Sequence, residues 1–193
     1  MSPLALPPDD LRGFPRHRLG AGRPLYRVHR ADRAPGWFSG DGSGRFDLGD
    51  DRGTLYLALS ELGALIEAFR SGTVVAEAEV AARQLSTVAF DRTLTLADCA
   101  STRARAFGVT AEIHSSPDYE LTQAWARALA ATEVAGIRYR LRHDPAQREL
   151  GVALFGRRGE DASVPIDASG PIAEDVLRQL ARRFGITVSP TPG

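Results

Sequence analysis

Lysine and asparagine are both missing from this 193-residue chain, and cysteine occurs once. Every fixed cation is therefore an arginine, which removes a lysine nucleophile, a Schiff base and a P-loop lysine from consideration. Arginine on its own is a weak clue here, because a GC-rich coding sequence produces the same bias. Cys99 has no partner for an internal disulfide, and in LTLADC it reads as a small buried hydrophobe. His17, His29, His114 and His143 are scattered, so no spacing resembles a zinc site and no metal is expected. Net charge is zero, which leaves no global field for nucleic acid. No apolar run is long enough to span a bilayer, and no membrane contact is expected. The opening MSPLALPPDD lacks a basic start and a continuous apolar stretch, so it does not read as a secretory leader. A cytoplasmic location is expected.

What is present reads as a globular chain, with 43% hydrophobic and 25% charged residues and a length that fits one domain. Residues 1–24 are rich in Pro, Gly and Arg without periodicity, which suggests an irregular N-terminal arm or a lid. Residues 25–193 are expected to form a single domain. Strands are expected at Leu25–His29, Thr54–Leu59, Gln84–Phe90 and Thr93–Ala97, with a glycine-broken loop over 31–44. Ser60 is placed to cap a helix running to about Arg70, with Leu62, Leu65, Ile66 and Phe69 as its core stripe. Residues 73–82 fit either state. Helices are expected at Ser101–Phe107 and from Ser116 or Asp118 to Ala131. The stretch Gly136–Arg142 alternates, with Ile137, Tyr139 and Leu141 on one face and Arg138, Arg140 and Arg142 on the other. Gly151–Phe155 is its antiparallel partner. An amphipathic helix over 171–185 and a short strand at Ile186–Val188 complete the chain. Strands and helices are interspersed without a β-α-β beat, which favours an α+β fold.

The segment from Leu25 to Arg70 carries the candidate chemistry. Arg27 lies mid-strand, on the face opposite Tyr26 and Val28. The loop Ser39–Gly44 delivers Arg45, followed by Phe46 and Asp47. Tyr56 sits between two leucines of a strand, and Glu67 flanks the core stripe of the helix beside Gly63 and Ala64. Each has a bland reading: Arg45 as a surface ion pair with Asp47 or Asp50, Tyr56 as a core tyrosine, Glu67 as a surface partner of Arg70 or Ser71. Together, two fixed cations, an aromatic plate and a carboxylate suit a phosphorylated substrate whose sugar carbon becomes positive.

The order of these pieces resembles the RES domain family, named for its arginine, glutamate and serine. The resemblance rests on a strand arginine, a glycine loop, G-R-F-D, G-T-L-Y-L-A and a helix with Glu. It continues through LTLADC, Tyr119 with Thr122-Gln123-Ala124-Trp125, GIRYRLR and VALF, over residues 24–158. It implies a mixed, mostly antiparallel split sheet with flanking helices, similar to ADP-ribosyltransferases. It implies a bacterial toxin that splits the nicotinamide–ribose bond of NAD by phosphorolysis or hydrolysis. Two alternatives are ADP-ribosyl transfer to a protein and a catalytically weak member that acts by binding an antitoxin. NAD is then substrate rather than cofactor, with inorganic phosphate as co-substrate if the reaction is phosphorolysis. The implied partner is a helix-turn-helix antitoxin, and homo-oligomerisation is left open. Carried over by position, Glu67, Arg45 and Tyr56 are catalytic, and Arg27, Arg45, Tyr56, Phe46, Gln123 and Arg142 bind NAD. The chain departs from the family at Leu141, where the serine falls, and at Asp47, which adds a negative charge near a phosphate site.

Overall fold

A computed structural model describes residues 3–70 and 72–190; Ser71 and the outermost positions of the expected arm and domain lie outside the described residues. The first segment is not irregular throughout. Strand β1 (Arg16–Leu19) pairs antiparallel with β7 (Leu94–Asp98) and forms one edge of an eight-stranded sheet. Its run Arg-His-Arg-Leu carries one apolar residue, which is what an exposed edge strand needs and why alternation does not reveal it. Leu4, Leu11 and Phe14 are buried in the main core, and Trp125 Nε1 donates to the Ala5 carbonyl at 2.8 Å.

The sheet order is β1-β7-β8-β9-β4-β2-β6-β11. Its strands include β2 (Leu25–Arg30), β4 (Arg52–Ala58), β6 (Arg83–Val88), β8 (Gly136–Arg140), β9 (Leu150–Arg157) and β11 (Ile166–Pro171). All neighbours run antiparallel except β7 and β8. Small pairs add β3 (Trp37–Phe38) with β10 (Gly159–Glu160), and β5 (Val74–Ala76) in parallel with β12 (Thr187–Ser189). The loop expected over 31–44 thus contains a two-residue strand. Residues 73–82 divide into β5 and a short helix α2 (Glu77–Ala81), which accounts for their mixed pattern.

Helix α1 (Glu61–Ala68) starts as expected: Ser60 accepts a hydrogen bond from the Gly63 N–H at 2.9 Å. The helix expected at Ser101–Phe107 is present as a 3-10 helix over Thr102–Phe107, ended by Gly108 at φ 92°. A four-residue helix α3 (Glu112–Ser115) precedes α4 (Tyr119–Ala130), whose cap is Asp118. Helix α5 (Glu174–Phe184) begins later than Pro171 because that proline still closes β11.

Alternation along the central strands fills two cores. Tyr56, Ala58, Ile137, Tyr139 and Ala153 face α1, α4 and α5, while Leu25, Leu55, Leu57, Val152 and Leu154 pack under Phe38 and Val164. One seam is different. β4 pairs with β9 from Arg52 to Ala58, and β2 pairs with β6 from Leu25 to Arg30. Between β2 and β4 there is a single pair, Tyr26 with Ala58. The sheet splits at this seam, and a cleft lies there. Among the described residues, no helix is long and apolar enough to cross a membrane.

Candidate active site

A cavity of about 240 Å³ opens along the split, with β2 on one side, β4 on the other and α1 above. Arg27, Arg45, Tyr56, Glu67 and Arg142 all line it. The distance in sequence between Arg27 and Arg142 is closed by the sheet order, which places β2, β4, β9 and β8 side by side.

Arg27 lies mid-strand in β2, beside the seam, and is among the residues lining the cavity. Its Nη1 donates to the Pro35 carbonyl at 2.6 Å and the Trp37 carbonyl at 2.9 Å. Burial lowers its pKa to about 10, still far above neutrality, so the charge is permanent. Arg45 is 7% exposed; its Nη1 donates to the Ser116 carbonyl at 2.7 Å, and its guanidinium lies over the Tyr119 ring at 5.2 Å. Its Nη2 is buried without a hydrogen-bond partner among the described residues. Thr122, at the second turn of α4, fixes the Arg45 backbone by donating to its carbonyl at 2.6 Å.

Glu67 projects from α1 toward these cations. Burial raises its pKa, opposed by Arg70, by the His143 backbone N–H, and by Arg45 and Arg142. Its Oε1 is buried with no hydrogen-bond partner among the described residues. A buried donor and a buried acceptor left unpaired in one cavity are costly in a protein with nothing bound. They are the groups that a ligand would complete.

Tyr56 has a structural task as well as a place in the lining. Its hydroxyl donates to Asp47 Oδ1 and accepts from the Phe46 N–H, both at 2.8 Å. Asp47 also accepts from the Gly44 N–H at 3.1 Å and is 1% exposed. The aspartate expected to burden a phosphate site is therefore turned inward, where it fastens the glycine loop to β4. A side chain at Gly44 would collide with Asp47 and the Tyr56 hydroxyl, so the loop requires glycine there.

Two expected substrate contacts lie elsewhere. Phe46 is fully buried, with its ring packed edge-on against Tyr139 at 4.9 Å, because the turn after Arg45 folds back into the core. Gln123 uses its Nε2 to hold the Gly42 and Gly44 carbonyls, both at 2.9 Å, and so supports the loop from behind. Neither lines the cavity. Conversely, Arg70, Tyr119, Tyr139 and His143 do line it. Arg70 was read only as an ion-pair partner of Glu67. Tyr139 was hidden by the apolar alternation of β8, and His143 lies on a turn whose position depends on the β8–β9 connection.

The family model of the RES domain matches residues 24–175. The chain belongs to the RES domain family. Among solved structures, a chain of the M. tuberculosis MbcT–MbcA toxin–antitoxin complex shares the fold, with a TM-score of 0.64 at 19% identity. The match covers 87% of this chain and 92% of that one. No curated protein sequence matches significantly. The RES model ends within α5, so β1 at one end and the rest of α5 with β12 at the other flank the shared region.

Within this RES domain, Leu141 is 1% exposed and packs into the space left by Gly63 of α1 and Gly151 of β9. It forms an apolar wall of the cavity. The loop after it is held by Asp144, which accepts from the backbone N–H groups of Ala146, Arg148 and Glu149. The Glu149 carboxylate accepts from the Ser60 hydroxyl and pairs with Arg183 of α5 at 2.6 Å. The loop bearing Arg142 and His143 is thus tied to both α1 and α5.

Proposed function

We propose that this RES domain cleaves NAD at the bond between nicotinamide and ribose, by phosphorolysis or hydrolysis, as a toxin held in check by an antitoxin. The observation that carries the reading is the pairing of unsatisfied Arg45 Nη2 and Glu67 Oε1 inside one cleft. At about 240 Å³ the cavity is smaller than the ~300–1,000 Å³ of sites that enclose a whole drug-sized ligand, so it suits one end of a dinucleotide. The lining holds Arg27, Arg45, Arg70 and Arg142 against Glu67 as its one carboxylate. That excess of positive charge suits a pyrophosphate at the mouth and steers an anionic substrate inward.

The chemistry follows from the charge on the substrate. Nicotinamide in NAD is already cationic, so the electron pair of the breaking C1–N bond neutralises it and no acid is needed. The sugar becomes oxocarbenium-like, and Glu67 is the carboxylate of the lining that would stabilise that charge. An oxygen of phosphate or water then attacks C1; in hydrolysis the proton of the attacking water leaves to solvent or Glu67. Arg27 and Arg45 orient the substrate. Arg45 braces against the Ser116 carbonyl and the Tyr119 ring, so its unpaired nitrogen is held in place before substrate arrives.

Purified protein mixed with NAD tests this. Free nicotinamide is expected, together with ADP-ribose 1″-phosphate if phosphate attacks or ADP-ribose if water does. Label transferred to a protein would replace this reading with ADP-ribosyl transfer. NAD left intact, with and without phosphate, would favour a domain that acts by binding its partner.

A further inference from the structure

All four tyrosines of the chain, Tyr26, Tyr56, Tyr119 and Tyr139, line the one cavity. Their hydroxyls differ in what they are free to do. That of Tyr56 is committed to Asp47 and the Phe46 N–H. The hydroxyl of Tyr139 makes no hydrogen bond among the described residues, although the residue is only 6% exposed. Its ring is fixed on two sides. Phe46 meets it edge-on at 4.9 Å, and on the neighbouring strand it lies over Gly151, its register partner. A Cβ at Gly151 would fall 2.6 Å from the Tyr139 Cζ and from Leu141 Cδ2, so the glycine is what admits both side chains. A rigid, packed ring therefore carries a free hydroxyl into the site. Burial, followed by the charge of Glu67, pushes the phenol's pKa up, which keeps it a neutral donor at every working pH.

Nearby stands an acceptor in the same condition, the unpartnered Oε1 of Glu67. A carboxylate acceptor beside a neutral phenol donor complements two hydroxyls on adjacent carbons. One hydroxyl donates to the carboxylate and the other accepts from the phenol. Leu141, two residues on and on the same face of the strand, supplies only apolar wall.

We infer that Tyr139 and Glu67 together read the vicinal diol of the ribose attached to nicotinamide, the Tyr139 O–H donating to one hydroxyl while the other donates to Glu67. This rests on the NAD reading and names a substrate contact that the reading leaves unassigned. The phenol holds the sugar so that C1 faces the carboxylate.

The test compares kcat/KM for NAD with that for two analogues, each lacking one hydroxyl of the nicotinamide ribose, in wild type and in Tyr139→Phe. Tyr139→Phe keeps the ring and its Phe46 contact. It is expected to lose roughly tenfold on NAD, the worth of one neutral hydrogen bond, and to lose nothing further on one of the two analogues. Wild type itself should discriminate against that analogue by roughly tenfold, a result independent of how the variant folds. An equal loss on all three substrates, no loss at all, or a wild type indifferent to both analogues would overturn the assignment. Calorimetric titration of wild type with NAD separates the two levels. A wild type that neither binds nor cleaves NAD overturns this inference and the proposed function together. A wild type that cleaves NAD, with Tyr139→Phe unchanged, overturns this inference alone.

Discussion

Glu67 and Leu141 show how the same cavity lining divides between chemistry and packing. Glu67 is held above the ordinary carboxylate range, chiefly by burial, with Arg70 foremost among the opposing influences. A raised folded pKa means that the charged carboxylate costs stability above that pKa. Glu67→Gln is therefore expected to melt higher than wild type at neutral pH, and the advantage should vanish below the pKa of the unfolded carboxylate. In wild type, the acid limb of kcat/KM should lie above the usual carboxylate value, with activity falling as pH drops through it. Thermal melts at pH 7 and pH 4, and a pH–rate profile, check both. Leu141 fills the space between Gly63 and Gly151. Leu141→Ser removes that packing and places a hydroxyl among apolar neighbours. It is expected to destabilise by about 3 kcal/mol in denaturant titration, without raising activity. Sequence order picks out Arg27, Arg45, Tyr56 and Glu67, and the fold brings all four to one cavity, because motif spacing survives without knowledge of packing. It does not show that Phe46 and Gln123 stand outside the cavity lining, because only the folded turn shows that one points into the core and the other into the back of the loop.

The elements that hold the site were legible where periodicity was strong. Alternation marked β8 and β9, and the Ser60 cap with its apolar stripe marked α1. The edge strands were not legible: β1 is mostly charged, and β11, Ile166–Pro171, is exposed along nearly its whole length, so neither carries an apolar pattern. Residues 73–82 change from strand to helix within a few positions, which no single period describes. The start of α1 couples several elements, since Ser60 caps the helix and donates to Glu149, which in turn pairs with Arg183. Ser60→Ala removes the cap and leaves a carboxylate oxygen of a residue only 7% exposed without its donor. A loss of about 1–2 kcal/mol is expected, seen as a melting point lower by about 2–8 °C. If the melting point does not move, Ser60 does not anchor the helix that carries Glu67.

The whole molecule is organised around one interruption. A long, mostly antiparallel sheet is closely paired except where β2 meets β4 through a single pair, and the catalytic candidates gather at that opening. Among the described residues, none before Tyr26 lines it. Leu4, Leu11 and Phe14 are buried in the main core, with the Phe14 ring tilted against those of Phe107 and Trp125. Deleting the chain through Phe14 is expected to cost on the order of 5 kcal/mol and to lower the melting point by roughly 10–20 °C. A truncated protein as stable as the full chain would show that these contacts contribute little. The split could not be read from sequence, because it depends on which strands become neighbours and for how many residues they pair. The central claim is that this split forms a site in which Glu67 stabilises a sugar cation drawn from NAD. It is tested most directly by the rate of nicotinamide release from NAD by wild type and by Glu67→Gln, each shown to be folded by its melting curve. Wild type should release nicotinamide, and Glu67→Gln should lose at least about a hundredfold in kcat. Equal rates for the two proteins, or no release by a folded wild type, would contradict the account.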